Sequence, residues 1–153
     1  MKHSSELAVQ TDPTTVGAVL SDLGTYPHWN DLVHEAVTAD AAPDDVGPAW
    51  LTTLRAQVGP FARAKQLRFV RVLDETVDDV HRTRFERREV DGREHANWIM
   101  EAEVRPGSTP DSSTVTLILT YEGGLWVPAL GSILGSAIER ATTRLPDYVA
   151  SQS

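Results

Sequence analysis

From residue 32 to residue 121 the chain runs mostly on a two-residue period, and from residue 128 onward it changes to one near 3.6. A two-residue alternation marks strands with one face turned to a core, whereas apolar residues spaced by three and four mark a helix. Trp50–Val58 places Trp50, Thr52, Leu54, Ala56 and Val58 on one face. Glu94–Val104 does the same with Ala96, Trp98, Met100, Ala102 and Val104, leaving the mainly polar His95, Asn97, Ile99, Glu101 and Glu103 on the other. Thr114–Tyr121 presents Val115, Leu117, Leu119 and Tyr121. Leu32–Thr38, Ala62–Leu73 and Val80–Arg88 read as further strands, and Glu6–Gln10, with Leu7 and Val9, as a first one, giving seven. The breaks are chemical: Gly59-Pro60, the Pro- and Asp-rich Asp40–Pro48, the acidic turn Asp74–Asp79, the hairpin signal Asp91-Gly92 and the polar Pro106–Ser113.

After Gly123-Gly124 the apolar stripe is Val127, Leu130, Ile133, Leu134, Ala137, Ile138, Ala141, Leu145 and Val149. A helix over Pro128–Leu145 is about 27 Å long, enough to cross a whole sheet. Pro128 is tolerated in a first turn, and Pro146 should kink or end the helix. Gly131 and Gly135, with Ser132 and Ser136, give it a slim surface for close packing on the sheet or for a ligand.

Thr11–Asn30 supplies a second, shorter helix. Asp12 is an N-cap, Pro13 fits the first helical position, and Val16, Val19 and Leu20 form its apolar face. Gly24 should end it. Tyr26-Pro27-His28-Trp29-Asn30 follows as an aromatic cluster, with Pro27 holding Tyr26 extended.

This order of a strand, two short helices, six strands and a long final helix resembles the START-like (SRPBCC) superfamily of polyketide cyclase/dehydrase and lipid-transport proteins. The segments FVRVLDET, FERREVDGREHANW and TYEGGLWVP are similar to those of actinobacterial cyclase/dehydrase-like members. The resemblance covers nearly the whole chain and implies a single α+β domain over residues 1–153. Its fold would be the helix-grip fold: a seven-stranded antiparallel curved sheet around the C-terminal helix, with an apolar cavity between them. It implies no shared catalytic motif, since such proteins include carriers, sensors, cyclases and interaction modules.

Composition narrows the function classes. The chain has 14 Lys plus Arg against 22 Asp plus Glu, a net charge of −8 that opposes a phosphate backbone and argues against nucleic acid. Its apolar runs fall short of the ~20 residues of a transmembrane span. Absent cysteine removes disulfides and thiol chemistry, and the polar Met1–Glu6 lacks a signal-peptide core, so a cytoplasmic location is expected. Arg63–Arg93 concentrates nine basic residues beside seven acids, read either as cross-strand pairing or as a patch for an acidic protein partner.

Searches for chemistry return little. His34-Glu35 lacks the second histidine of HExxH, the five histidines show no ligand spacing, and Gly131–Gly135 is not GxSxG. No metal or cofactor is expected. What remains is a candidate cavity. Trp98, Met100, Val115, Leu117, Leu119 and Tyr121 should face inward from adjacent strands. Trp50, Leu54 and Phe85 join them, Leu130, Leu134 and Ile138 close the space from the helix, and Trp29 sits at one end as lid or packing. Buried Trp98 and Tyr121 each need a hydrogen-bond partner, which a ligand can supply. Arg68 shares a face with Gln66, Val70 and Val72 and is assigned to the cavity mouth, where it would bind a carboxylate or phenolate. His28 is expected in solvent, with acid–base work open to it only if buried beside a substrate. The first functional reading is a carrier or sensor of a small or medium hydrophobic ligand such as a lipid, polyketide or other aromatic. The second is a cyclase or dehydratase using Tyr121, Arg68 or His28, and the third a protein-interaction module using the Arg63–Arg93 face.

Overall fold

The computed structural model describes residues 1–125 and 128–153, the side chain of Val58 excepted. Expectations for Trp126, Val127 and the facing of Val58 lie outside the described residues. The elements are β1 (Lys2–Val9), α1 (Pro13–Leu20), a 3-10 helix (Leu23–His28), β2 (Val33–Ala39), β3 (Ala49–Val58), β4 (Phe61–Val77), β5 (Val80–Arg87), β6 (Asn97–Pro106), β7 (Ser113–Glu122) and α2 (Leu130–Gln152). All neighbouring strands pair antiparallel in the order β1-β7-β6-β5-β4-β3-β2. β1 and β2 are consecutive yet lie at opposite edges, so the chain between them must cross the sheet. It does so as α1 and the 3-10 helix. The curved sheet and α2 form the helix-grip arrangement, and α2 packs chiefly on β1 and β7. None of the described helices is long and apolar enough to cross a membrane.

Register fixes which side chains face the helix. Trp98 pairs with Tyr121, Met100 with Leu119, Ala102 with Leu117 and Val104 with Val115, and all eight are buried. On the opposite face, Arg82 pairs with Glu103 and Arg84 with Glu101 across β5 and β6. Their ion pairs, with Arg88–Glu86 and Arg105–Glu103, neutralise much of the basic stretch within the sheet itself. At this exposure each is worth about 0–1 kcal/mol.

Several local expectations are corrected. Gly24 does not end α1. The cap is Ser21, whose N–H reaches Gly17 O at 3.0 Å, and Asp22 then starts the 3-10 helix by accepting the Gly24 amide at 2.9 Å. Tyr26 is therefore helical rather than extended, and Pro27 lies within the 3-10 turn. Asp12 caps α1 as expected, accepting the Thr15 amide at 2.9 Å. β4 runs on through the acidic segment to Val77, so the turn is reduced to Asp78 and Asp79, both at positive φ. β5 and β6 are joined by the longer loop 88–96 instead of a tight Asp91-Gly92 hairpin: Asp91 accepts the Arg93 amide at 3.0 Å and holds His95 at 2.9 Å. Pro146 does not stop α2, which starts at Leu130 and continues to Gln152. Leu145 and Val149 are both fully buried on either side of Pro146, and that packing offsets the backbone bond proline cannot make.

Loop 40–48 folds back over the outer face of β4, and its tightest point is Gly47. A Cβ built there would overlap the Arg71 carbonyl oxygen, and that backbone is held in the β4 ladder. Gly47→Ala is expected to lower stability by about 1–3 kcal/mol, read from the midpoint of urea unfolding.

Candidate functional site

Among the described residues the interior holds two aromatic groups. Tyr26 lies 4.4 Å from Trp29 and 5.7 Å from Phe85 (ring centroids), and Phe85 meets Trp50 edge-on at 5.5 Å. The Tyr26 hydroxyl donates to Leu20 O at 2.8 Å, and burial pushes its phenol pKa well up, with Asp22 adding to the rise, so it stays neutral. The second group is Trp98 against Tyr121 at 4.4 Å. Met100, Leu117 and Leu119 lie between the groups on the sheet, and Leu130, Leu134 and Ile138 face them from α2, all buried. Leu54 is also fully buried on the inner face of β3.

A mainly apolar cavity of about 30 Å³ lies here, walled by Tyr26, Trp29, Leu32, Met100, Leu117, Leu119, Ala137 and Ile138, with Asn30, Glu101 and Ile118 completing the lining. Since one water needs at least ~10–15 Å³ by the same measure, it holds a water or two and no larger molecule. Of the two uses expected for the slim face of α2, the structure shows close packing on the sheet. Gly131 and Gly135 lie against Met1 and His3, so the slim face of α2 serves contact with β1.

Next to this cavity is a much larger open groove of about 640 Å³ between α2 and the β2–β3 edge. Asp31, His34, Arg55, Gln57, Ser132, Ser136 and Arg140 form its polar rim, with Leu32, Ala56, Ile133 and Ala137 beneath. Leu32 and Ala137 also line the cavity, so the groove and the apolar volume adjoin at these two side chains. Asp31 ties the segment before β2 to α2: it accepts from Arg140 Nε at 2.7 Å and from Arg144 Nη1, while Arg144 Nη2 reaches His28 O at 2.9 Å. Both arginines are more than a third exposed, so each bridge is weak, about 0–1 kcal/mol.

The structure separates the polar candidates. Arg68 is not at the cavity mouth. It pairs with exposed Leu51 on the outer face of the sheet and forms a buried ion pair with Asp45 at 2.6 Å. His28 is exposed and stacked on Tyr148 at 5.2 Å. The Tyr121 hydroxyl is engaged with Gly124 O. Arg68, His28 and Tyr121 therefore do not converge on one reacting position. Among the described residues, Trp98 Nε1 and Thr52 Oγ1 are buried without a hydrogen-bond partner. Sequence reasoning missed Tyr26, Leu32 and Ala137 as cavity walls, although Tyr26 sits in the aromatic run and Ala137 on the apolar stripe.

No protein-family model matches the chain, and a search of curated proteins finds no match. Solved structures do match. A START superfamily protein from Mycobacterium smegmatis superposes with a TM-score of 0.75 at 17% identity, over 99% of each chain. Human StAR-related lipid transfer protein 5 gives 0.77 at 11% identity, covering 97% of this chain and 74% of its own. A protein from Thermus thermophilus gives 0.67 at 18%, over 100% and 99%. The chain has the START-like helix-grip fold.

Proposed function

We propose that the chain, acting as one domain over residues 1–153, binds a small or medium hydrophobic ligand between sheet and α2, as a carrier or sensor in the cytoplasm. One observation carries this reading: a mainly apolar cavity adjoining an open groove at Leu32 and Ala137. The lipid-transfer name of one structural neighbour agrees with it. Trp29, Trp50, Leu54, Phe85, Trp98, Met100, Leu117, Leu119, Tyr121, Leu130, Leu134 and Ile138 are the proposed wall, with Tyr26, Leu32 and Ala137 added and Arg68 removed.

A cavity of about 30 Å³ must widen to admit such a molecule. The soft side is the β2–β3 edge, where α2 makes few contacts and weak bridges from Asp31 hold the rim. Release of the 23–32 segment from α2 would move Tyr26, Trp29 and Leu32 together and turn the filled volume into a pocket. The ligand class is apolar, whether lipid, polyketide or another aromatic. The cyclase reading lacks an assembled acid–base group, and the interaction reading loses force because Arg82, Arg84 and Arg88 already have carboxylate partners.

Titration with the neutral fluorophore N-phenyl-1-naphthylamine tests the proposal. Saturable binding is expected, and Ala137→Leu, which adds bulk where groove and cavity adjoin, should weaken it about tenfold, equivalent to about 1.4 kcal/mol. Asp31→Asn should leave stability within about 1 kcal/mol and speed uptake several-fold. A folded protein that never takes up the probe overturns the reading.

A further inference from the structure

β5 ends in Arg87, and register turns this arginine toward the helix rather than outward. It pairs with Phe69 of β4, fully buried on the inner face, and follows Thr83 and Phe85 at two-residue steps. Its side chain is only 7% exposed. Its bonds are long: Nε to Glu89 Oε1 at 3.3 Å and Nη1 to Ala96 O at 3.4 Å. A charge-assisted N–H···O bond normally measures about 2.7–2.9 Å. The same Glu89 oxygen already accepts the Arg68 amide at 2.8 Å.

Two further groups share this corner. Lys65 lies on the inner face of β4 opposite fully buried Leu54, and its ammonium pKa is lowered by burial first and by the Arg87 charge second. Among the described residues Lys65 has no ion-pair partner, and the opposing pull of Glu89 on it is weaker than either. Continuing the Phe85–Met100 register sets Trp98 beside Arg87. Trp98 is fully buried, and among the described residues its Nε1–H has no acceptor. Two inward cations against one shared carboxylate leave one positive charge in excess, inside a chain of net charge −8. Buried charges and buried N–H groups are normally matched; buried Arg87 and Trp98 are matched only in part, and half-buried Lys65 adds a cation beside them.

We propose that this corner receives the single negative charge of an amphipathic ligand, a monocarboxylate. Arg87 and Lys65 supply the charge and Trp98 Nε1–H donates to a carboxylate oxygen. The ligand's chain runs from there toward Met100 and Leu119, the residues next along β6 and before Tyr121 on β7 that already wall the apolar cavity. The assignment rests on the apolar-ligand reading above and adds the head group to it. A dianionic phosphate ester would overmatch one excess charge.

The test compares dodecanoate with dodecanol at neutral pH, each titrated by displacement of the neutral fluorophore. The wild-type protein should prefer dodecanoate by about tenfold or more. Arg87→Met should remove that preference while leaving dodecanol affinity within about twofold. Lys65→Met, at a partly exposed position, should reduce the preference about threefold, and Trp98→Phe should lower it as well; these two serve if Arg87→Met does not fold. Equal binding of the two ligands by wild-type protein overturns the head-group proposal and leaves the apolar-ligand reading standing. Binding of neither overturns both.

Discussion

Trp29→Ala is expected to lower unfolding stability by about 3–5 kcal/mol, at the top of the range for a single truncated core aromatic. Trp29 is fully buried, packs on Tyr26 at 4.4 Å and lies against the interior cavity. Removing an indole beside an existing void leaves little for neighbours to collapse onto, so the lost transfer energy and the cavity cost add. Its N–H to Thr25 Oγ1 is long at 3.4 Å and contributes little by comparison. Urea unfolding should show the loss as a shifted midpoint at unchanged slope. Trp29→Phe should recover more than half of it. The truncated protein, if folded at low denaturant, should bind the neutral fluorophore more tightly than wild type, because the widening that uptake requires has been done by mutation. A loss below about 1 kcal/mol would mean that Trp29 is a loose lid and not a core residue.

The architecture was legible because it rests on period. That Trp98, Met100, Ala102 and Val104 share a face, and Tyr121, Leu119, Leu117 and Val115 another turned to the same core, follows from alternation; their pairing is a matter of register. The change to a 3.6-residue stripe marks α2 through Val149, past the proline that should have stopped it. Arg68 shows where alternation fails. Leu67, Arg68, Phe69 and Val70 are all buried, the inner face under the core and the outer face under loop 40–48. A strand covered on both sides has no solvent-facing parity to read. The Tyr26 segment misleads for a local reason: proline usually extends the residue before it, whereas here Asp22 caps a 3-10 turn that includes both. The near-closure of the interior was least legible, because a residual volume is set by how Tyr26, Trp29 and Leu32 pack together and no pattern of residue types encodes that. The inward arginine was visible in principle. Arg87 has the parity of Phe85, but it lies in a run of charged residues that reads as a solvated face.

Arg68→Met is expected to cost about 3–5 kcal/mol, because it leaves the Asp45 carboxylate buried and unmatched. The two side chains are 6% and 8% exposed, and Arg68 holds Asp45 through both oxygens, at 2.9 and 2.6 Å, while also donating to Asp40 O and Arg88 O. Those bonds, the Arg68 hydrogen bond foremost, lower the Asp45 pKa from 3.8 to about 2. The folded value lies below the unfolded one, so the stabilisation is complete above about pH 4 and is lost as pH falls through 3.8 toward 2. Over that window it is worth about 2 kcal/mol. Asp45→Asn should remove this acid-dependent component and flatten the pH–stability curve there. The double variant Arg68→Met with Asp45→Leu should recover much of the single-variant loss, since an apolar pair of similar volume needs no charge partner. All three variants, once folded, should bind the neutral fluorophore and dodecanoate as the wild type does, because loop 40–48 and the outer face of β4 lie on the far side of the sheet from the apolar cavity. A folded Arg68 variant with weakened dodecanoate binding would return this residue to the ligand site and would displace Arg87 as the group that reads the carboxylate.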